Sequence, residues 1–190
     1  MDERFIENFK NGFPFLKVVS AATPQRGITI LSEEQQQSAI AEYEAFKGKY
    51  VKFVPASGAA SRMFKDLFEA KDILLNGGEL PQDSKVVKFI AQIADYPFYN
   101  EEMSGLSPLE ILEYVIADRG YDYGNRPKGQ ILFHKYEEEI RTAFEEHLVE
   151  GALYAKSEDG SVNIHFTVSP AHQAGFEKIL QETVGKYEQR

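Results

Sequence analysis

The chain has no cysteine and no tryptophan, and only three of its 190 residues are methionine. The lack of cysteine excludes disulfide bonds and every metal site that depends on thiolate ligands. Hydrophobic residues make up 43% of the chain but form short runs, none near the roughly 20 apolar residues of a membrane-spanning helix. No basic segment followed by an apolar one opens the sequence, so no export signal is indicated. We therefore expect a cytoplasmic protein without a membrane partner.

Positive charge is also in the minority. The 30 acidic residues exceed the 21 basic ones, which gives a formal net charge of −9 and a pI near 5.0. Because duplex binding requires a basic surface, this balance argues against a nucleic-acid polymer as a partner. A small nucleotide needs only two or three well-placed cations and is not excluded. The length favours one domain over residues 1–190 with a sizeable core.

A short stretch of small residues is the first candidate site. It follows the apolar run 50–54, which has the composition of a strand, and precedes a helical pattern that begins at Met63. Small side chains let backbone N–H groups approach phosphate oxygens, and a helix N-terminus and an arginine add positive charge. A purely structural turn is the alternative interpretation. The candidate phosphate-binding residues are Ser57, Gly58, Ala59, Ala60, Ser61 and Arg62.

Two later segments extend the pattern: 127–132, which reads P-K-G-Q-I-L, and 142–150, which contains the pair Glu146-His147. With the small-residue loop, they resemble the nucleoside-triphosphate transferase family, which comprises the sugar-nucleotide pyrophosphorylases and cytidylyltransferases. That family has a strand, a loop of the type A-A-G-x-G-T-R-M, a P-K-x-L segment and a helix of the type P-L-I-E-H-V-L-E. A closer resemblance, K-F-V-P-A-S-G-A-A-S-R-M-F-K followed by F-E-E-H-L-V-E-G-A, is to an uncharacterised gut-bacterial family of domains of unknown function. It covers almost the whole chain.

The transferase resemblance implies a function and a mechanism. Arg62 would contact the β- and γ-phosphates of a nucleoside triphosphate, and Lys128 would stabilise charge near the α-phosphate, so these two are the candidate catalytic residues. The implied reaction joins the nucleotide to a phosphorylated, sugar-like acceptor with Mg²⁺ as cofactor. The sequence departs from the family at Ala60, where a second glycine is usual, and in the long separation of Met63 from Pro127. It also lacks a later strand ending in a metal-binding aspartate. Because the more closely resembling family has chains well over twice this length, we expect a fragment of a longer protein.

The fold class that follows is α/β, with a partial Rossmann-like, GT-A-like parallel sheet and a helical insertion over residues 64–120. Residues 51–54 and 162–168 are predicted to be neighbouring parallel strands. Residues 27–31 are predicted to form a short strand, and residues 13–19 an edge strand or a packed arm. Capping-box pairs predict helix starts after Ser32, Ser107 and Thr142.

Two other functions remain open from the sequence. One is a non-catalytic module that binds a nucleotide or phosphate; the other is an interaction domain whose helices at 83–95 and 107–118 bind a partner, with a homodimer among the possibilities. Glu146 and His147 are interpreted as packing residues, and residues 137–139 as a solvated turn. The remaining histidines are too dispersed to predict a metal site. They are His134, His165 and His172.

Overall fold

A computed structural model describes residues 3–188 of the chain. These residues fall into two compact units, one ending at Phe46 and the other beginning at Lys47, and each is described by itself. No helix in the described range has the length and apolar content required to cross a bilayer.

The first unit contains two helices, α1 (Glu3–Asn11) and α2 (Glu33–Ala45). The predicted capping box at the start of α2 is confirmed, because Ser32 and Gln35 bond to each other's backbone amides at 3.2 and 2.9 Å. The strand predicted at residues 27–31 is wrong. A tight turn between Thr23 and Arg26 precedes this segment, Gly27 has a φ of 87°, and no neighbouring strand pairs with the residues that follow. Residues 13–19 likewise have no regular secondary structure.

The second unit is mixed α/β and contains the remaining regular elements of the described residues. In chain order they are β1 (Val51–Pro55), α3 (Lys65–Leu75), α4 (Lys85–Ala91), α5 (Pro108–Ile116), β2 (Leu132–Lys135), β3 (Ile140–Thr142), α6 (Ala143–Tyr154), β4 (Asn163–Thr167) and α7 (Gln173–Glu188). Short 3₁₀ turns occupy Ile93–Asp95, Glu101–Met103, Lys128–Gln130 and Pro170–His172.

The predicted parallel pair is confirmed. Strand β1 pairs with β4 in parallel, in a register that runs from Val51 opposite Asn163 to Pro55 opposite Thr167. Val54 on β1 is buried, whereas Val51 and Phe53 on the opposite face of the strand are exposed. The other sheet is an antiparallel hairpin of β2 and β3, which the sequence did not predict.

Residues 64–120 are mainly helical, as predicted, and they contain most of the buried core. Helices α3, α4 and α5 surround a cluster that includes Leu112 and Val115, both fully buried, and Met103. Helix α5 begins with the predicted capping box between Ser107 and Glu110. The cluster extends to Ala60 in the small-residue loop and Ile131 after the Lys128 turn. The helical segment therefore holds both flanking segments in place rather than only covering them.

The turn of the hairpin is less solvated than predicted at its last residue. Glu137 and Glu138 are exposed, but the side chain of Glu139 is only 10% exposed. It accepts hydrogen bonds from Arg141 on β3 and, at 2.7 Å, from Lys186 on α7. Arg141 also bonds Glu146 on α6 at 3.1 Å. These ion pairs tie the hairpin to both helices.

Candidate functional site

The small-residue loop leaves the sheet at the carboxyl end of β1. The amide of Ala56 donates to the carbonyl of Thr167 at 2.9 Å, which keeps the two parallel strands together to their last residues. Because β1 and β4 are parallel, both chains leave the pair at the same edge. In α/β folds, ligands bind in the crevice outside the carboxyl ends of such strands. The loop therefore lies at the corresponding edge of this two-stranded pair.

The Lys128 turn packs directly against this loop. The amide of Lys128 donates to the carbonyl of Gly58 at 3.0 Å, and Pro127 lies opposite Ala59 in an isolated antiparallel bridge. Two segments that are far apart in the sequence are thus joined through their backbones. The helical core determines this approach, because it includes residues of both segments.

A second set of contacts holds the other side of the turn. The buried amide of Gln130 donates from Nε2 to the carbonyl of His172 at 3.2 Å. A Cβ on Gly129 would lie 2.7 Å from the ring of Phe176, so a larger residue there would force the turn or the ring to move. The backbone around Lys128 is therefore fixed from both sides.

Loop and turn, together with β1, α6 and β4, line a partly open cavity of about 140 Å³. The side chain of Lys128 is exposed and forms no ion pair with any other residue of the described range. Among the described residues no carboxylate lines the cavity, so it offers no side-chain oxygen ligand for the Mg²⁺ that the transferase resemblance implies. The polar side chains of the lining are those of Lys128 and His147. Its lining residues are Val54, Pro55, Ala56, Gly58, Lys128, Gly129, Ala143, Phe144, His147 and Phe166.

The other predicted residues lie outside the cavity lining. Ser57, Ala59 and Ser61 are exposed loop residues. Ala60 is fully buried in the helical core, and its φ is not positive, since Asp122 alone among the described non-glycine residues has a positive φ. Its side chain thus packs in the core and its carbonyl accepts from the amides of Met63 and Phe64, so Ala60 is not exposed to a ligand.

Arg62 is exposed in a turn that precedes α3. That helix begins at Lys65 rather than Met63, because the amides of Met63 and Phe64 both donate to the carbonyl of Ala60. No ion pair to Asp66 forms within the described residues; Lys65 pairs with Glu69 instead. Within residues 3–188, Arg62 is therefore a cation without an ion-pair partner, at the end of the loop.

His147 on α6 lines the same cavity, although the sequence interpretation made it a packing residue. Its Nδ1 lies 3.1 Å from Oε2 of Glu150, one helical turn away. Glu150 also accepts hydrogen bonds from Lys52 on β1 and from Tyr154. The pKa of Glu150 is lowered to about 2, mainly by the hydrogen bond from Lys52, so this carboxylate is ionised at neutral pH. The spacing of His147 and Glu150 on one helix face was the available sequence signal.

The family described as a domain of unknown function (DUF4301) matches residues 2–190 of the chain. No curated protein and no solved structure has detectable similarity to it. Within residues 3–188, no group of three or more histidine or carboxylate side chains is placed to hold a metal ion. The matches thus lend no support to the transferase resemblance, which stays a prediction.

Proposed function

The chain belongs to the DUF4301 family of domains of unknown function, and we propose that it binds a nucleotide through a phosphate group held in the cavity between Gly58 and Lys128. The observation that carries the proposal is the 3.0 Å bond from the Lys128 amide to the Gly58 carbonyl. It places an unpaired cation beside a small-residue loop at the carboxyl edge of a parallel strand pair. On a chain with a net charge of −9, an exposed lysine without an ion-pair partner among the described residues supports the binding of an anion here.

The size of the cavity supports binding of a phosphate group rather than enclosure of a whole nucleotide. Pockets that enclose a drug-sized ligand measure about 300–1,000 Å³, whereas this cavity measures about 140 Å³. The base and sugar would then lie across the exposed loop. Arg62, at the far end of that loop, is available to further phosphates of a triphosphate.

The finer predictions remain proposals. Transfer of the nucleotide to a phosphorylated acceptor, the need for Mg²⁺ and a GT-A-like sheet all rest on the transferase resemblance. The interaction-domain alternative has less support at α5, because that helix uses Ile111, Leu112, Val115 and Ile116 to build the core of its own segment. A homodimer remains open.

The contributions of the two cations are expected to separate in binding measurements. Charge-assisted hydrogen bonds contribute about 1.5–3 kcal/mol, and 1.4 kcal/mol is a factor of ten in affinity. Lys128→Ala should therefore lower the affinity for both inorganic phosphate and ATP by about tenfold or more, while Arg62→Ala should lower the affinity for ATP alone. Titration calorimetry with and without Mg²⁺ measures this. Lys135→Ala, which removes an exposed lysine from β2, is the control; equal affinities in Lys128→Ala and the control would refute the proposal.

Blocking the cavity without disturbing the fold gives an independent test. A Cβ on Gly58 would meet no atom within 4 Å, and the φ of Gly58 is not in the left-handed region. Gly58→Val should thus leave the melting temperature unchanged, yet its methyl groups should fill space that the phosphate needs. We expect phosphate affinity to fall about tenfold or more, which corresponds to one or two lost contacts. Ala59→Val, at the neighbouring residue outside the cavity lining, should bind as the wild type does.

A further inference from the structure

We propose that His147, oriented by Glu150, transfers protons at this cavity and makes it a catalytic site that hydrolyses phosphate monoesters. The inference rests on the proposed phosphate binding. It assigns a reaction class to the same cavity and a catalytic role to a residue that the sequence interpretation placed in packing.

The hydrogen bond between His147 and Glu150 determines the tautomer of the neutral imidazole. An ionised carboxylate can only accept hydrogen bonds, so Nδ1, at 3.1 Å from Oε2, must carry a proton. In a neutral imidazole this leaves the lone pair on Nε2. His147 is one of the residues that line the cavity, and its Nδ1 is engaged by Glu150, so we infer that Nε2 is the nitrogen available to a molecule bound there. A base positioned by a third group is the arrangement common to many hydrolytic sites.

Glu150 is itself held by two residues. Lys52 and Tyr154 both donate to its Oε2, and Lys52 also donates to the hydroxyl of Tyr154 at 2.7 Å. Lys52 comes from β1 and the other members from α6, so the group joins the strand that leads into the loop to the helix that carries the base. Glu150, Lys52 and Tyr154 are positioning residues, since none of them lines the cavity.

The reaction uses water as its second substrate. Nε2 of His147 takes a proton from the water as the water oxygen forms a bond to phosphorus. The bond from phosphorus to the ester oxygen breaks, and its electron pair stays on that oxygen. The imidazolium then returns the proton to the ester oxygen, so an alcohol and inorganic phosphate leave and the histidine is again neutral. Lys128 and the loop amides stabilise the negative charge on the phosphate oxygens during the transfer.

The presence of a base distinguishes this reaction from the transfer implied by the resemblance. A phosphorylated acceptor attacks through a phosphate oxygen that is already ionised, so it needs no proton acceptor. Water must lose a proton when it attacks, and a positioned base then accelerates the step. A liquid water molecule takes up about 30 Å³, so a cavity of about 140 Å³ has room for a phosphate group and an attacking water.

Hydrolysis of p-nitrophenyl phosphate by the full chain tests the inference. Wild type should release p-nitrophenol, and His147→Gln should lower kcat by about a hundredfold or more, the contribution typical of general base catalysis. KM should change by less than about threefold, because Lys128 and the loop still bind the phosphate. His165→Gln alters an exposed histidine outside the cavity and should retain full activity. No release by wild type, or equal kcat in His147→Gln and wild type, would overturn the inference.

Glu150→Gln tests the positioning role with a readout that packing alone would not change. In wild type, ¹⁵N chemical shifts of His147 should show the Nδ1–H tautomer, and in Glu150→Gln they should show a mixture of tautomers. A tautomer unaffected by the substitution would contradict the role of Glu150. Calorimetry with inorganic phosphate separates the two proposals. If the wild type binds phosphate but does not hydrolyse p-nitrophenyl phosphate, the hydrolytic inference is wrong and the proposed binding site stands. If the wild type does not bind phosphate, both proposals are wrong.

Discussion

Leu112→Ala is expected to lower the free energy of unfolding by about 3 kcal/mol, within the range of about 2.7–5 kcal/mol for leucine truncations in a closed core. Leu112 on α5 is completely buried in the helical core, so its removal loses apolar burial and leaves a cavity. Urea unfolding measured by circular dichroism gives the change. Leu153→Ala makes the same chemical change at a side chain that is 77% exposed and should cost less than about 0.5 kcal/mol.

The stability of Leu112→Ala also concerns the candidate site, because the loop and the Lys128 turn share the core that contains Leu112. Ala60 of the loop and Ile131 beyond the Lys128 turn belong to the same buried cluster as Leu112. We expect the loop and the helices of Leu112→Ala to unfold in one transition. The slope of the free energy of unfolding against urea concentration should equal that of the wild type. A loss of less than about 1 kcal/mol would contradict the assignment of the main core to the helical segment.

Arg141→Met is expected to lower the free energy of unfolding by about 3 kcal/mol, because it leaves two largely buried carboxylates without their shared partner. The side chain of Arg141 is 14% exposed and bonds both Glu139 and Glu146. Lys186 still bonds Glu139, which places the expected loss at the lower end of the range for broken buried pairs. Arg119→Met removes an arginine with two carboxylate partners at 47% exposure and should cost no more than about 1 kcal/mol. Equal losses in the two variants would show that burial of the Arg141 pairs adds nothing.

The pH dependence of stability should change in the same variant. Hydrogen bonds from Lys186 and then Arg141 lower the pKa of Glu139 from 4.5 to about 2. A folded-state pKa below the unfolded one means that the stabilisation is complete above about pH 4.5 and is lost as the pH falls towards 2. The slope from this group can reach about 1.4 kcal/mol per pH unit. In Arg141→Met the slope should be shallower, and melting curves between pH 5 and 3 would measure it.

Features determined by nearby residues were predictable from the sequence. The helix starts at Ser32, Ser107 and Thr142 were predicted correctly, because a capping box is completed within four residues. The parallel pairing of residues 51–54 with 162–168 was also correct, since both runs have strand composition and a helical connection favours a parallel partner. The meeting of Gly58 and Lys128 followed from the resemblance rather than from spacing.

Several other features that depend on tertiary contacts were missed. Residues 27–31 have the composition of a strand, but composition cannot supply the partner that a strand requires. Glu139 lies in a run of three glutamates that appears solvated, and only the approach of Lys186 from α7 buries it. The spacing of His147 and Glu150 was visible in the sequence, but the hydrogen bond from Lys52 to Glu150 joins residues almost one hundred positions apart and was not. The environment of these side chains thus depended on the elements that pack against them more than on their own charge or polarity.

The register of β1 with β4 also has a consequence for the order in which the chain folds. More than one hundred residues separate Pro55 from Asn163, and closing a flexible loop of that length costs about 4 kcal/mol of chain entropy. Prior collapse of the intervening helices shortens the effective loop and reduces this barrier. Two short strands cannot repay the full cost alone, because an isolated two-stranded pair is at best marginally stable. We therefore expect the helical core to form first along the lowest-barrier route, and the cavity beside Gly58 and Lys128, which needs the strand ends together, to be completed late.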